Sequence, residues 1–286
     1  MIARVSRRRL EKGWFPVFAG VTLLASCATP PPATERIVST NPCLDALLIE
    51  LVPPERIAAI SHYSQDPRST SMSLNVARRL RTTAGTAEEV IALRPGLVLA
   101  SSFTPAATLA AYERMGLRVK AFPIAATLDA NRAQIREVAR AVGAAGRGEL
   151  LVQRIDDAIA KAAPPNVARP SALLWLGGSN LVNGQGTLID EMLVRAGFRN
   201  ASADHGVRFT GTLPLEHVVA RPPHVVMTPT SAAGHDEDAR RTSLRMRALR
   251  GRAQIADFPA SLFYCGGPSI GPAMERLAAI RRKVRS

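Results

Sequence analysis

Glu88–Val98 reads EEVIALRPGLV, and 128 positions later Glu216–Val226 reads EHVVARPPHVV. Five of the eleven positions are identical: Glu, Val, Ala, Pro and Val. Each phrase opens as a helical turn on a glutamate, is broken by proline, and runs into a short apolar strand. A repeated unit of this kind marks internal duplication, so the chain is expected to contain two lobes of similar plan.

The flanking sequence supports that expectation. Arg36–Ser39 predicts a strand, Leu44–Leu51 a helix, Arg56–Ser61 a strand, Leu97–Ser101 a strand and Asn131–Val142 a helix. After Pro164-Pro165 the pattern begins again with a strand at Ala172–Leu176, a helix at Thr187–Ala196, a strand at Val225–Thr228 and a final helix at Pro272–Arg285. Short apolar strands alternating with helices predict α/β construction with parallel sheets. Between the two runs, apolar residues at 150, 151, 155, 158, 159 and 162 recur at helical spacing, with charges between them. The predicted organisation is two pseudo-symmetric α/β lobes, 36–146 and 165–286, joined by one long rigid helix over 147–164.

The first 35 residues read differently. Arg4, Arg7, Arg8, Arg9 and Lys12 precede the apolar run Trp14–Leu24, which is too short to cross a bilayer. Residues 1–26 therefore predict a signal peptide. Leu24-Ala25-Ser26-Cys27 resembles a bacterial lipobox, which would make Cys27 the lipidated first residue of the mature chain. The Pro/Thr/Ala-rich stretch over 27–35 reads as a tether. Ser6–Lys12 bears a weaker likeness to a twin-arginine export signal, and Glu11 sits where an apolar residue is usual. Ala28 rather than Asp would imply the outer membrane in a Gram-negative cell and the plasma membrane in a Gram-positive one. The expected location is the periplasm or cell envelope, held by a lipid anchor.

The whole chain carries +14. Removing the first 26 residues, with five basic and one acidic among them, lowers this to +10. Such a charge favours anionic surfaces or ligands. Nucleic acid is an unsuitable partner behind an export signal, and no basic stripe interleaved with aromatics is present.

Signals for catalysis are thin. There is no nucleophile elbow or P-loop, and the glycines of Gly177–Gly186 lack dinucleotide-binding spacing. Cys43 with His62 forms no motif beyond the presence of both residue types. The five histidines, at 62, 205, 217, 224 and 235, show no ligand spacing, and His235-Asp236-Glu237-Asp238 reads as a solvated helix start. The expectation is a non-enzyme without a cofactor or bare-metal site.

What remains is a cleft. In parallel α/β lobes, ligands bind beyond the carboxyl ends of the strands. Those loops hold Cys43, Tyr63, Phe103, Tyr264 and Cys265, with Trp175 just ahead of one of them and Arg208-Phe209 in another. With aromatics only 5% of the chain, this concentration suggests a cavity for a large, partly apolar ligand.

The ordered set RIVSTNPCLDALLIEL, EEVIALRPGLVLA, EHVVARPPHVVMT and FYCGGPS resembles the substrate-binding proteins of bacterial ABC importers for iron complexes and cobalamin, of the helical-backbone type. The resemblance spans nearly the whole mature chain. It implies a monomer that carries a metal chelate (a ferric siderophore, haem or cobalamin) to a permease dimer with its ATPase. It also implies that Glu88 and Glu216, one on each lobe, dock into arginine pockets of the permease; a helix N-terminal role is compatible with the same positions. A zinc or manganese carrier of similar architecture, and a scaffold or sensor retaining the fold, are the alternatives. Cys43 and Cys265 depart from the pattern: in an oxidising compartment they could pair and lock the lobes, or stay free and line the pocket. Free or ligand-facing thiols are the expectation, because a bridge would oppose ligand entry.

Overall fold

Apolar strands bounded by helices bury both faces most simply as a parallel sheet covered on each side. The computed structural model describes residues 35–164, 168–176, 180–229 and 237–284, and contains two such sheets. The first half runs β1 (Ile37–Ser39), α1 (Pro42–Leu51), β2 (Ile57–Ser61), α2 (Leu74–Ala77), β3 (Thr82–Thr83), α3 (Ala87–Ala92), β4 (Leu97–Ser101), α4 (Ala106–Arg114), β5 (Arg118–Phe122) and α5 (Leu128–Ala141). α6 (Ala145–Ala162) leads into the second half: β6 (Ser171–Leu174), β7 (Leu181–Asn183), α7 (Leu188–Arg195), β8 (Arg199–Asn200), β9 (Thr210–Thr212), α8 (Leu215–Ala220), β10 (Val225–Thr228), α9 (Glu237–Ala248), β11 (Gln254–Asp257) and α10 (Ile270–Lys283). The expected signal peptide, Cys27, the expected tether up to residue 34, Gly177-Gly178 and His235-Asp236 lie outside the described residues, as do the side chains of Glu237 and Asp238.

The strand orders are β3-β2-β1-β4-β5 and β11-β10-β6-β8, with parallel pairing throughout both sheets. Read from its other edge, the second sheet is β8-β6-β10-β11, which repeats the winding of β2-β1-β4-β5. The twin phrase falls at equivalent places, from α3 into β4 and from α8 into β10. Glu88 and Glu216 are each the second residue of their helix, and both are exposed. The antiparallel pair β7–β9 has no counterpart among the described residues of the first half and no sequence signal of its own.

One hydrophobic core serves both sheets. It contains Ile37 and Leu99 from the first, Leu174 and Met227 from the second, and Leu151, Val152, Ile155 and Ile159 from α6. The 18 residues of α6, about 27 Å of helix, lie between α5 and α10. The link between the halves is therefore a packed layer of three helices. Smaller clusters cover the far face of each sheet, with Val38, Val98 and Tyr112 in the first half and Leu173, Trp175 and Val226 in the second. Leu262–Tyr264, which reads as extended, instead holds the end of a 3-10 turn at Ala260–Leu262, where Phe263 packs on the shared core.

Candidate functional site

The site is built from the loops that follow the strands. After β1, Asn41 takes an extended conformation and its side-chain oxygen accepts hydrogen bonds from the N–H groups of Cys43 (2.9 Å) and Leu44 (3.3 Å), with Pro42 in the first turn. This cap starts α1 and fixes Cys43 at its mouth. After β11, the segment Cys265-Gly266-Gly267 reaches across from the second half. The Cys265 N–H donates to Ser71 Oγ at 3.0 Å, and the Gly267 N–H donates to Asn131 Oδ1 at 2.9 Å. A Cβ on Gly266 would lie 1.9 Å from Asn131 Oδ1, and Gly267 adopts φ +65° against Leu47. Two glycines are therefore the condition for this close approach.

The approach brings Cys43 and Cys265 together as a disulfide, with Sγ–Sγ 2.13 Å and Cα–Cα 5.2 Å. The expectation of free thiols is corrected. The physical reason is that the glycine segment is pinned to the first half on both sides, which holds the sulfurs in bonding range. Nor does the bridge block the cleft, since a cavity of about 560 Å³ lies beside it and both cysteines line that cavity.

The cavity opens between the two halves. Phe103 and Ile124 face it from the first, Leu188 and Phe209 from the second, and Tyr264 from the loop before the disulfide. Phe103 is 72% exposed and Phe209 67%, so both present uncovered rings to a ligand. The polar lining includes Asn41, Gln134, Asn183 and Thr210. Among the described lining residues none is Lys, Arg, His, Asp or Glu. Burial raises the pKa of Tyr264, which keeps its phenol neutral at ordinary pH.

Of the residues singled out from sequence, Cys43, Phe103, Tyr264 and Cys265 come together here, and three do not. Trp175 is fully buried on the far face of the second sheet, with Leu173, Val218 and Val226, and the Arg245 guanidinium lies 5.5 Å from its ring centroid. Strand alternation explains the correction: Ala172 and Leu174 point to the shared core, which sends Leu173 and Trp175 to the other side. Arg208 is exposed and outside the lining, while its neighbour Phe209, at φ +55°, turns into the cleft. Tyr63 lies outside the lining, half exposed in the turn His62–Gln65, with its ring centroid 4.0 Å from that of His62. Ile124 belongs to the loop after β5, where the same strand-end rule applies. Nothing in the sequence marks Gln134 or Asn183.

Two further groups shape the cleft surroundings. Asp45, one turn into α1, is fully buried; its Oδ2 accepts hydrogen bonds from Ser61 N–H (2.9 Å) and Ser64 Oγ (2.6 Å). Desolvation pushes its pKa up to about 8 against the pull of these bonds and of Ser39, so the carboxyl is protonated in the folded chain near neutral pH. It ties α1 to the turn that carries Tyr63. On α7, Glu191 Oε2 accepts from the Leu128 N–H at 2.7 Å, so a second-half carboxylate sits at the N-terminus of the first-half helix α5. Among the described residues, no three His, Cys, Asp or Glu side chains gather as a metal site. No described helix is long and apolar enough to cross a membrane.

Comparison with known proteins gives consistent results. Residues 37–260 match the family model described as "Periplasmic binding protein". Comparison with curated protein sequences gave no match. Among solved structures, the periplasmic haem-binding protein RhuT from Roseiflexus sp. RS-1 in apo form superposes with a TM-score of 0.68 at 25% identity, covering 88% of this chain and 99% of that one. The periplasmic haem-binding protein BhuT in complex with two haems gives 0.66 at 26% identity, covering 86% and 98%. The periplasmic vitamin B12 binding protein BtuF of Vibrio cholerae gives 0.66 at 21% identity, covering 89% and 99%, a likeness of fold alone. With a duplicated parallel fold, a cleft between its halves and a family match over most of its length, the chain belongs to the periplasmic binding protein family, whose members bind ligands for transport and are not enzymes.

Proposed function

We propose that this protein is the substrate-binding component of an ABC importer and captures a metal chelate in the cleft between its lobes. One observation carries the reading: a cavity of about 560 Å³ whose walls, from both lobes, present Phe103, Ile124, Phe209 and Tyr264. Cavities of about 300–1,000 Å³ with apolar walls and a few polar groups suit ligands of this size. Burying a charged periphery against such walls is costly, so a chelate with a broad apolar face, of the tetrapyrrole kind, fits better than a compact polyanionic one. The similarity to haem-binding RhuT and BhuT supports the same direction. On losing its proton to become a phenolate, Tyr264 would offer an oxygen donor of the type that ligates ferric iron, against the pull of the burial that favours its neutral form.

Two partners complete the proposal. Glu88 and Glu216, at equivalent places on the two lobes, dock on the two permease subunits, and Cys27 carries the lipid that holds the protein at the membrane. Calorimetric titration with haemin, cobalamin, ferric siderophores and Zn²⁺ tests the cargo; saturable binding to none of the chelates would sink the reading, and binding of Zn²⁺ alone would replace it with a bare-metal carrier. For docking, the double variant Glu88→Ala/Glu216→Ala is expected to lose stimulation of the importer's ATPase while chelate affinity is unchanged. A fall in affinity would move the glutamates into the cleft.

A further inference from the structure

Residues 240–252 read RRTSLRMRALRGR, with six arginines and no acidic residue; Glu237 and Asp238 precede them. They form most of α9 and the turn after it. The buried side of this segment is set by Thr242 and Leu249, with Met246 packed against the Trp175 cluster. Positions 240, 244 and 247 then fall together on the opposite side by helical spacing. Arg240 and Arg247 are exposed there, and Leu244 between them is 60% exposed. Arg250 and Arg252 extend the basic face beyond the helix, both exposed. None of these four arginines forms an ion pair with a described residue. An apolar side chain framed by long cationic ones is the pattern that lies on an anionic bilayer surface, with the leucine at the headgroup boundary and the guanidiniums on phosphates. Arginines near the C-terminal end of α9 also complement the helix dipole, but that role does not call for an exposed leucine among them or for Arg250 and Arg252 past the end.

We infer that the outer face of α9 is a contact surface for anionic phospholipid, seating the second lobe against the membrane. The inference rests on the lipid-anchor part of the proposed function. Seven residues separate Cys27 from Glu35, a span of at most about 29 Å, which confines the protein to the neighbourhood of the surface. Each arginine near an anionic leaflet strengthens attachment by about fivefold, so four of them act as a second, weaker attachment beside the lipid.

The test uses the mature chain from residue 27 with Cys27→Ser, so that no acyl chain contributes. Co-sedimentation is measured with phosphatidylglycerol/phosphatidylcholine vesicles and with phosphatidylcholine alone. Binding is expected only to the anionic vesicles and is expected to vanish at about 0.5 M salt. Arg240→Ala/Arg247→Ala/Arg250→Ala/Arg252→Ala is expected to weaken it by about tenfold or more. Removing four exposed first-lobe arginines instead, Arg78, Arg79, Arg81 and Arg114, controls for net charge and is expected to change it by less than about threefold. Equal losses in the two quadruple variants, or no preference for anionic vesicles, would overturn the inference. So would an α9 variant that binds vesicles like its parent but no longer stimulates the importer, since the face would then belong to the permease. Chelate titration of the same variant stays at the parent's affinity, which separates this result from any failure of the cargo assignment.

Discussion

Cys43→Ser combined with Cys265→Ser removes a cross-link that closes a loop of sequence separation 222. In the chain-entropy description, a loop that long restricts the unfolded ensemble by about 5 kcal/mol at 25 °C, and measured values commonly fall in the range of about 2–4 kcal/mol. For a chain of this size, each kcal/mol at the midpoint moves Tm by about 2–4 °C, so the expected drop is on the order of 10 °C. The cleft is expected to keep its shape, because the Gly267–Asn131 and Leu128–Glu191 hydrogen bonds still join the lobes. Chelate affinity should therefore change by less than about threefold, a few tenths of a kcal/mol on the scale where 1.4 is tenfold. The measurement is thermal unfolding by circular dichroism, for the parent with and without reductant and for the double variant, beside a binding isotherm for each. Reductant should bring the parent to the double variant's midpoint and leave the variant itself unmoved. Midpoints within about 3 °C of each other, on the order of 1 kcal/mol, would refute the loop-closure reasoning, and a collapse of affinity would show that the sulfur bridge, not the hydrogen bonds, sets the cleft.

Three other perturbations follow from the same geometry. Asp45 has its pKa raised from 3.8 to about 8 by burial, so its contribution to stability is complete below about pH 4 and is lost as pH rises through about 8. Asp45→Asn cannot titrate and keeps acceptors for Ser61 and Ser64; it should gain up to a few kcal/mol over the parent at pH 8.5 relative to pH 5, read from urea midpoints at the two values, and an unchanged difference would refute the buried-carboxyl argument. Gly266→Ala places a methyl 1.9 Å from Asn131 Oδ1 and should cost about 2 kcal/mol or more while weakening chelate binding, whereas Gly251→Ala, where nothing lies within 4 Å, should disturb only its own turn. Phe103→Ala and Phe209→Ala remove exposed rings and should each lower chelate affinity by about tenfold with Tm held within a few degrees; equal affinity in both would move the ligand elsewhere.

The duplicated plan was legible because it is written locally. A proline between helix and strand, repeated at Pro95 and Pro222, and an apolar strand after each, require nothing distant to be recognised. The cleft was legible where local rules reach it, as at Phe103, Tyr264 and, after β5, Ile124. It failed where a side chain's direction depends on parity or on a partner far along the chain. Trp175 is one residue past the strand β6, and only the alternation of that strand decides which face it takes. At Arg208 and Phe209 a single left-handed residue exchanges which of two neighbours enters the cleft. The pairing of Cys43 with Cys265 depends on Ser71, Asn131 and two glycines meeting in space, a coincidence that spacing alone does not encode.

The burial of Trp175 has an optical consequence. The sequence has two tryptophans, and the other, Trp14, falls in the stretch expected to be a signal peptide, so a chain cleaved ahead of Cys27 would emit from a single indole. That indole is sealed on the side of its sheet away from the shared core, with an arginine of α9 over its ring. A ligand in the cleft does not touch it and can quench it only by energy transfer, which requires absorption in the near ultraviolet or visible. A haem-like or corrinoid cargo would darken the protein on binding, and a colourless one would leave its emission unchanged. The same indole, insensitive to direct contact in the cleft, reports separately on whether α9 stays seated on its lobe.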